Sequence, residues 1–200
     1  MALPAVPIAA QAEDDVARKR EYKIKAAFLY NFIKFVDWPE GKVVNGDVIT
    51  IGIIGNNPFG QAFEPVKGKK IKDRELVVKQ FPGLEQYKTE AEDKTKYEEE
   101  YCAEYKSALE KCHVLFISSS EKDYVKVITS IVKDSSVLTV SELKDFLNNK
   151  GVIKLLMEEK KVRFKINVTA ARQAKLKVRS QLLRLAKEIV EEQPEGDAKS

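Results

Sequence analysis

A single histidine, a single tryptophan, two cysteines and two methionines are all that this 200-residue chain carries of the side chains most often found at reactive centres. The one histidine, His113, adjoins Cys112, and a pair of that kind supplies too few ligands for a structural or catalytic zinc site. No two carboxylates share a distinctive apolar setting. Gly52, Gly55 and Gly60 follow a strand-like run, yet no G-x-G-x-x-G occurs and no Lys-Ser or Lys-Thr follows Gly60, so neither a dinucleotide fingerprint nor a P-loop is present. Ser118-Ser119-Ser120 would stand at a strand's carboxyl end, where α/β proteins bind ligands. His113 begins the same strand, and residues five apart on a strand are about 16 Å apart, too far for a base to activate Ser118. No catalytic residue, metal or cofactor is therefore expected, and the serines read as helix caps. Charge of one sign is lacking too: 35 basic against 31 acidic residues, a net +4, exclude the basic surface of a nucleic-acid binder. Long apolar runs are also absent. Lys25 and Lys34 bracket Ala26 to Ile33, far short of the roughly 20 residues of a membrane span.

What is present centres on Tyr22 to Pro39, YKIKAAFLYNFIKFVDWP. Wound as a helix, it is apolar around most of its circumference, with Lys23, Asn31 and Lys34 on a narrow polar stripe, which predicts burial on more than one side. Pro39 disfavours helical geometry at Trp38, so the helix is expected to end there. Before it, residues 1–12 are uncharged and close on Ala10-Gln11-Ala12, followed by Glu13-Asp14-Asp15. This reads as the end of a secretory signal removed after Ala12, although the positive n-region is missing; the alternative is an Ala/Pro tail. Residues 13–20 then form a flexible lead. Export would place Cys102 and Cys112 in an oxidising space, where a disulfide between them would add ~2–3 kcal/mol. The alternative is two unrelated thiols, because a straight helix between them would hold them too far apart.

Further along, Val48 to Ile54 (VITIGII) is a β-branched run expected to be buried on both faces. Asn57 and Pro58 signal a helix start and Gly68 its end. Lys70 to Phe81 is a second strand, and residues 84–111 form a charged helical excursion. His113 to Ser118 is a third strand, and Ser118 with Glu121 has capping-box spacing for a helix to about Lys133. Val137 to Val140 is a fourth strand, and Ser141 caps a short helix through Phe146. Val152 to Met157 and Val162 to Val168 should form an antiparallel hairpin. A final amphipathic helix runs from Leu182 to Val190, and residues 193–200 are a disordered tail. The order implies an α/β domain over 21–192: a mostly parallel five- to six-stranded sheet, helices on both faces, and the C-terminal antiparallel hairpin. Lys160 to Lys187 is strongly basic, whether as a solvated face or as a patch steering the chain to an acidic partner.

AAFLYNFIKFVDWP, ITIGIIGNNPFG, CHVLFISSSE, SVLTVSEL and VRFKINVTAARQAKLKVRSQLLRLA, in that order from Tyr22 to Val190, resemble the YfiR family of exported bacterial proteins. The resemblance implies a periplasmic regulator, often dimeric and not an enzyme, that represses an inner-membrane diguanylate cyclase through its periplasmic domain and so lowers cyclic-di-GMP and biofilm formation. A sensor kinase is the other partner it implies, and a periplasmic small-molecule carrier is the other function considered. Transferred by motif, the candidate partner or ligand positions are Asn31, Trp38, Asn57, Phe59, Arg163 and Asn167. Arg163 and Asn167 lie an even number apart on one strand and so share a face. Departures from the family pattern include Lys165 for a usual Glu, and Ala174-Lys175-Leu176 for Ala-Gly-Leu.

Overall fold

A computed structural model describes residues 8–42, 48–71, 73–84 and 102–191. Helix α1 (Ile8–Phe35) is followed by β1 (Val36–Asp37), β2 (Val48–Ile54), β3 (Lys70–Ile71) and β4 (Arg74–Phe81). Then come α2 (Cys102–Glu110), β5 (Val114–Ile117), a 3-10 turn at Ser119–Glu121, α3 (Val125–Val132), β6 (Leu138–Ser141) and β7 (Ile153–Glu158). The chain closes with β8 (Lys161–Asn167), α4 (Val168–Gln173), β9 (Lys177–Val178), α5 (Ser180–Leu185) and β10 (Glu188–Val190).

Among the described residues, eight strands form the main sheet in the order β10-β8-β7-β6-β5-β2-β4-β3, wider than the five or six expected. The run β7-β6-β5-β2-β4 is parallel, and β7 and β8 make the anticipated antiparallel hairpin. Glu159 and Lys160 both take positive φ between them, as a two-residue hairpin turn of the right twist requires. The extra width lies at the edges. Lys70 to Phe81 splits at Asp73 (φ 66°) into two antiparallel strands. At the far edge the final helix stops at Leu185, and β10 pairs parallel to β8, Ile189 opposite Ile166. Ile189 and Val190 are β-branched and suit a strand as well as a helix. The Lys187 N–H, donating to Phe164 O at 2.8 Å, starts that ladder.

Both faces of the central strands are covered, as a parallel sheet demands. Ile49, Ile51 and Ile53 of β2 join Leu29, Phe32 and Ile33 of α1 on one side. Leu115 and Ile117 of β5 join Leu109 of α2, Ile128 of α3 and Phe146 on the other. Each such side chain contributes roughly 1.5–3 kcal/mol by leaving water. Helix α1 is more one-sided than its composition suggests: Ala26, Leu29, Phe32 and Ile33 are buried at helical spacing, whereas Ile24, Ala27 and Asn31 are exposed. It ends at Phe35, three residues before Trp38, because Val36 and Asp37 pair with Val178 and Lys177 of β9. Residues 13–20 continue the helix and do not form a flexible lead.

Other local expectations change for identifiable reasons. Residues 58–68 form successive turns instead of a helix, since Gly60 takes φ +51° in their midst. Ser118 does not cap α3: its Oγ donates to Asn56 O at 2.6 Å. Residues 144–150 are turns where a short helix was expected after Ser141. Of the charged excursion, residues 85–101 lie outside the described residues, as do the tail and residues 1–7; the described part is α2, with Tyr105 and Leu109 buried. The bridge between Cys102 and Cys112 is not formed. Cys112 is a free, buried thiol, and α2 stands between the two positions, its nine residues spanning about 12 Å against the ~6 Å a disulfide needs.

Candidate functional site

At the carboxyl ends of β2 and β5, where α/β proteins usually admit a ligand, the chain fills the space with its own polar groups. Glu121 is buried, and its Oε2 accepts the Leu84 N–H at 2.8 Å while Oε1 accepts the Ser120 hydroxyl at 2.9 Å. Ser120 Oγ accepts the Asn56 N–H at 3.0 Å, and Gln80 Nε2 donates to Gly55 O at 2.8 Å. Two glycines make room for the carboxylate. A Cβ on Gly55 (φ +82°) would sit 2.5 Å from Glu121 Oε1, and one on Gly83 2.4 Å from the same atom. Glycines of the kind that approach a phosphate elsewhere here approach Glu121. Sequence reasoning assigned Glu121 to a cap; nothing in the local pattern shows that it folds back between two loops.

An open groove of ≈ 600 Å³ lies beside this closed crevice, between the amino-terminal half of α1 and the turns after β2. Arg18, Lys19, Tyr22 and Lys23 come from α1, with Asp15 the one acid; Asn57, Phe59 and Gln61 come from the turns. Its wall is firm. Tyr22 meets Phe59 edge-on at 5.3 Å, and Phe59 in turn packs on Phe116 of β5 at 4.8 Å. Behind the wall, buried Lys25 is paired with Glu142 at 2.8 Å and with Glu21. The Tyr22 hydroxyl donates to Glu142 at 3.4 Å, and its pKa is pushed up to about 12, by burial first and then by the Glu142 and Glu21 charges. At the groove's lip, Asn57 Oδ1 accepts the Phe59 N–H at 2.9 Å.

The six candidate positions do not converge. Asn57 and Phe59 line the groove, Phe59 doing so from the core. Asn31 lies on the exposed back of α1. Arg163 is exposed on β8, but Asn167, on the same alternation, is fully buried and caps α4, its Oδ1 accepting the Ala170 N–H at 2.9 Å and its Nδ2 donating to Leu147 O at 3.2 Å. Trp38 packs edge-on against His113 at 5.8 Å. His113 was read as too little for a zinc site and as a failed partner for the serines, yet it is a buried group of its own. Its Nδ1 accepts the Thr50 N–H at 3.2 Å, which leaves the neutral ring's proton on Nε2. Burial, then Lys42 and Arg74, lower its pKa to about 4. Cys112 beside it is pushed up to about 12 by burial, so it stays a thiol.

A family model described as YfiR/HmsC-like matches residues 22–187. The chain belongs to the YfiR/HmsC-like family. A search of curated proteins returns no match. Among solved structures, a conserved domain protein from Vibrio cholerae O1 biovar El Tor is similar in fold, with a TM-score of 0.53 at 9% identity over 84% of this chain and 60% of that one. The ABC domain from Streptococcus pneumonia, solved with L-Trp, has a TM-score of 0.48 at 10% identity, over 74% of this chain and 57% of its own. This chain thus spans about 60% of the Vibrio protein's length, and the likeness to it concerns the fold alone. Among the described residues, no helix of this YfiR/HmsC-like protein is long and apolar enough to cross a membrane.

Proposed function

We propose that this YfiR/HmsC-like protein is an exported regulator that binds the periplasmic domain of an inner-membrane diguanylate cyclase and holds it inactive. The family match over residues 22–187 is the observation that carries this reading. The groove beside α1 supports a site of contact. Polar groups at the strand ends bond one another, whereas Lys19 and Lys23 in the groove have no ion pair among the described residues. Asn57 adds a polar lip and Phe59 a rigid floor, so an acidic segment of the partner fits there. Repression is then a population shift: a regulator that binds the inactive conformation 100-fold more tightly favours it by about 2.7 kcal/mol. Export proceeds with cleavage after Ala12, which leaves Glu13 at the start of the mature chain.

Deleting the gene should raise cyclic-di-GMP, and restoring it with Arg18→Glu and Lys23→Glu together should fail to lower the level again. An unchanged level after deletion removes the cyclase from the proposal. A second reading, a small-molecule carrier, draws on the groove's volume of ≈ 600 Å³, within the usual range for ligands. A ligand present at 100 times its dissociation constant would add about 2.7 kcal/mol of stability in a thermal-shift screen.

A further inference from the structure

A second concavity, on the opposite part of the chain, carries a different ligand chemistry. Between α4, β9 and α5 is a cleft of ≈ 370 Å³. Its rim holds Arg172, Lys175 and Lys177, and its floor holds Ala171, Leu176 and Leu183. Among the described residues, no acidic side chain lines it. Arg172 is engaged from outside by Glu191 at 2.5 Å, an exposed pair that an incoming anion can displace.

The backbone at Lys175 makes the cleft more than a chance cluster. Lys175 N–H donates to Arg172 O and Leu176 N–H to Ala171 O, both at 2.9 Å, which closes α4 with a paired C-terminal capping motif. The residue at the turning point of that motif takes a left-handed conformation, and Lys175 does so with φ 55°. Glycine adopts it without strain; a lysine does not. The chain thus accepts a strained backbone and gains a cation at the rim. Strain of this sort, retained against an easy remedy, points to a use for the side chain.

We infer that this cleft binds an anionic amphiphile, with an acidic group held by Lys175, Lys177 and Arg172 and an apolar body resting on Ala171, Leu176 and Leu183. A cleft of this volume lies near the lower end of ligand pockets, which suits one head group with a short tail better than a stretch of peptide. Val178 at its edge pairs with Val36 of β1, so the ligand lies against the strand pair that fastens the end of α1. The inference stands apart from the groove beside α1 and does not require a cyclase as partner.

Calorimetric titration of the full chain with decyl phosphate, kept below its micelle concentration, tests the site. Saturable one-to-one binding is expected, at least tenfold weaker for decanol and for inorganic phosphate, which carry only one half of the chemistry. Lys177→Ala should weaken binding about tenfold. Lys175→Gly should do the same while melting about 2–4 °C higher, since relief of the backbone is worth on the order of one such step. Binding to phosphatidylglycerol vesicles but not to phosphatidylcholine vesicles would identify the head group as a lipid's, and binding to decyl phosphate alone would identify a soluble ligand. Inorganic phosphate binding as tightly as decyl phosphate, an unaltered affinity in Lys175→Gly, or no binding to either decyl phosphate or the anionic vesicles would overturn the inference.

Discussion

The two ends of the adjacent strands β2 and β5 solve the same problem in opposite ways. At the carboxyl end, Ser118, Asn56, Ser120 and Glu121 are linked in one chain of bonds, while Glu121 also accepts the Leu84 N–H and Gln80 donates to Gly55 O. At the amino end, His113 Nε2, Trp38 Nε1 and Arg74 Nη1 are sealed from solvent with no hydrogen-bond partner among the described residues. Lys42 nearby donates to Ser135 O at 2.7 Å and to Glu110 O, and burial lowers its pKa. One end is wired with acceptors to spare. The other holds donors and cations, and burial first, then those cations, keeps its imidazole neutral. Buried polar groups thus stabilise only where the chain supplies both halves of each bond.

Gly55→Ala should break the wired end most severely. The new methyl group meets Ser120 Oγ at 2.3 Å on a backbone of φ +82°, and strain plus overpacking should cost about 3–5 kcal/mol in urea unfolding. Combining it with Glu121→Ala should recover part of that loss, because the two changes contend for one space; strict additivity would show that the carboxylate is not what the glycine clears.

Acid should expose the other end. His113 has a folded pKa of about 4 against an ordinary 6.5, so the unfolded chain takes up a proton that the folded one refuses. Its contribution is fully present above pH 6.5 and is lost as pH falls towards 4, a decline of about 3 kcal/mol. Unfolding free energies compared at pH 7 and pH 4 should fall more steeply in the parent than in His113→Asn, by about that 3 kcal/mol. Smallest of all is Trp38→Phe. It deletes a buried N–H that has no acceptor among the described residues, which offsets the lost apolar area, so stability should move by less than about 1 kcal/mol. A loss of 3 kcal/mol would mean that the indole nitrogen is bonded after all.

The same contrast explains what was legible in the residues. VITIGII and HVLFIS declare themselves because β-branched runs suit strands buried on both faces, and α1 does so through its spacing of Leu29, Phe32 and Ile33. Edge elements did not. Ile189 and Val190 fit a helix's period as well as a strand's, and only the ladder to β8 decides between them. The two-residue strands β1 and β9 exist only as partners of each other. Of the groove residues, Asn57 and Phe59 entered through the resemblance of ITIGIIGNNPFG to the family motif, since the turn signal at Asn57 indicated only a helix start. Arg18 and Lys19 were missed because residues 13–20 read as a lead, and Glu121 because its partners Gly55 and Gly83 are remote in sequence.

The pairing of β1 with β9 joins segments about 140 residues apart, and Arg179 clamps it with two bonds to Asp37 at 2.9 and 2.6 Å. A ribosome therefore completes α1 long before the segment that secures its end exists. Until residues 177–179 emerge, the greasy side of the first helix has an unfinished berth, and the nascent chain depends on chaperoning for nearly its whole synthesis.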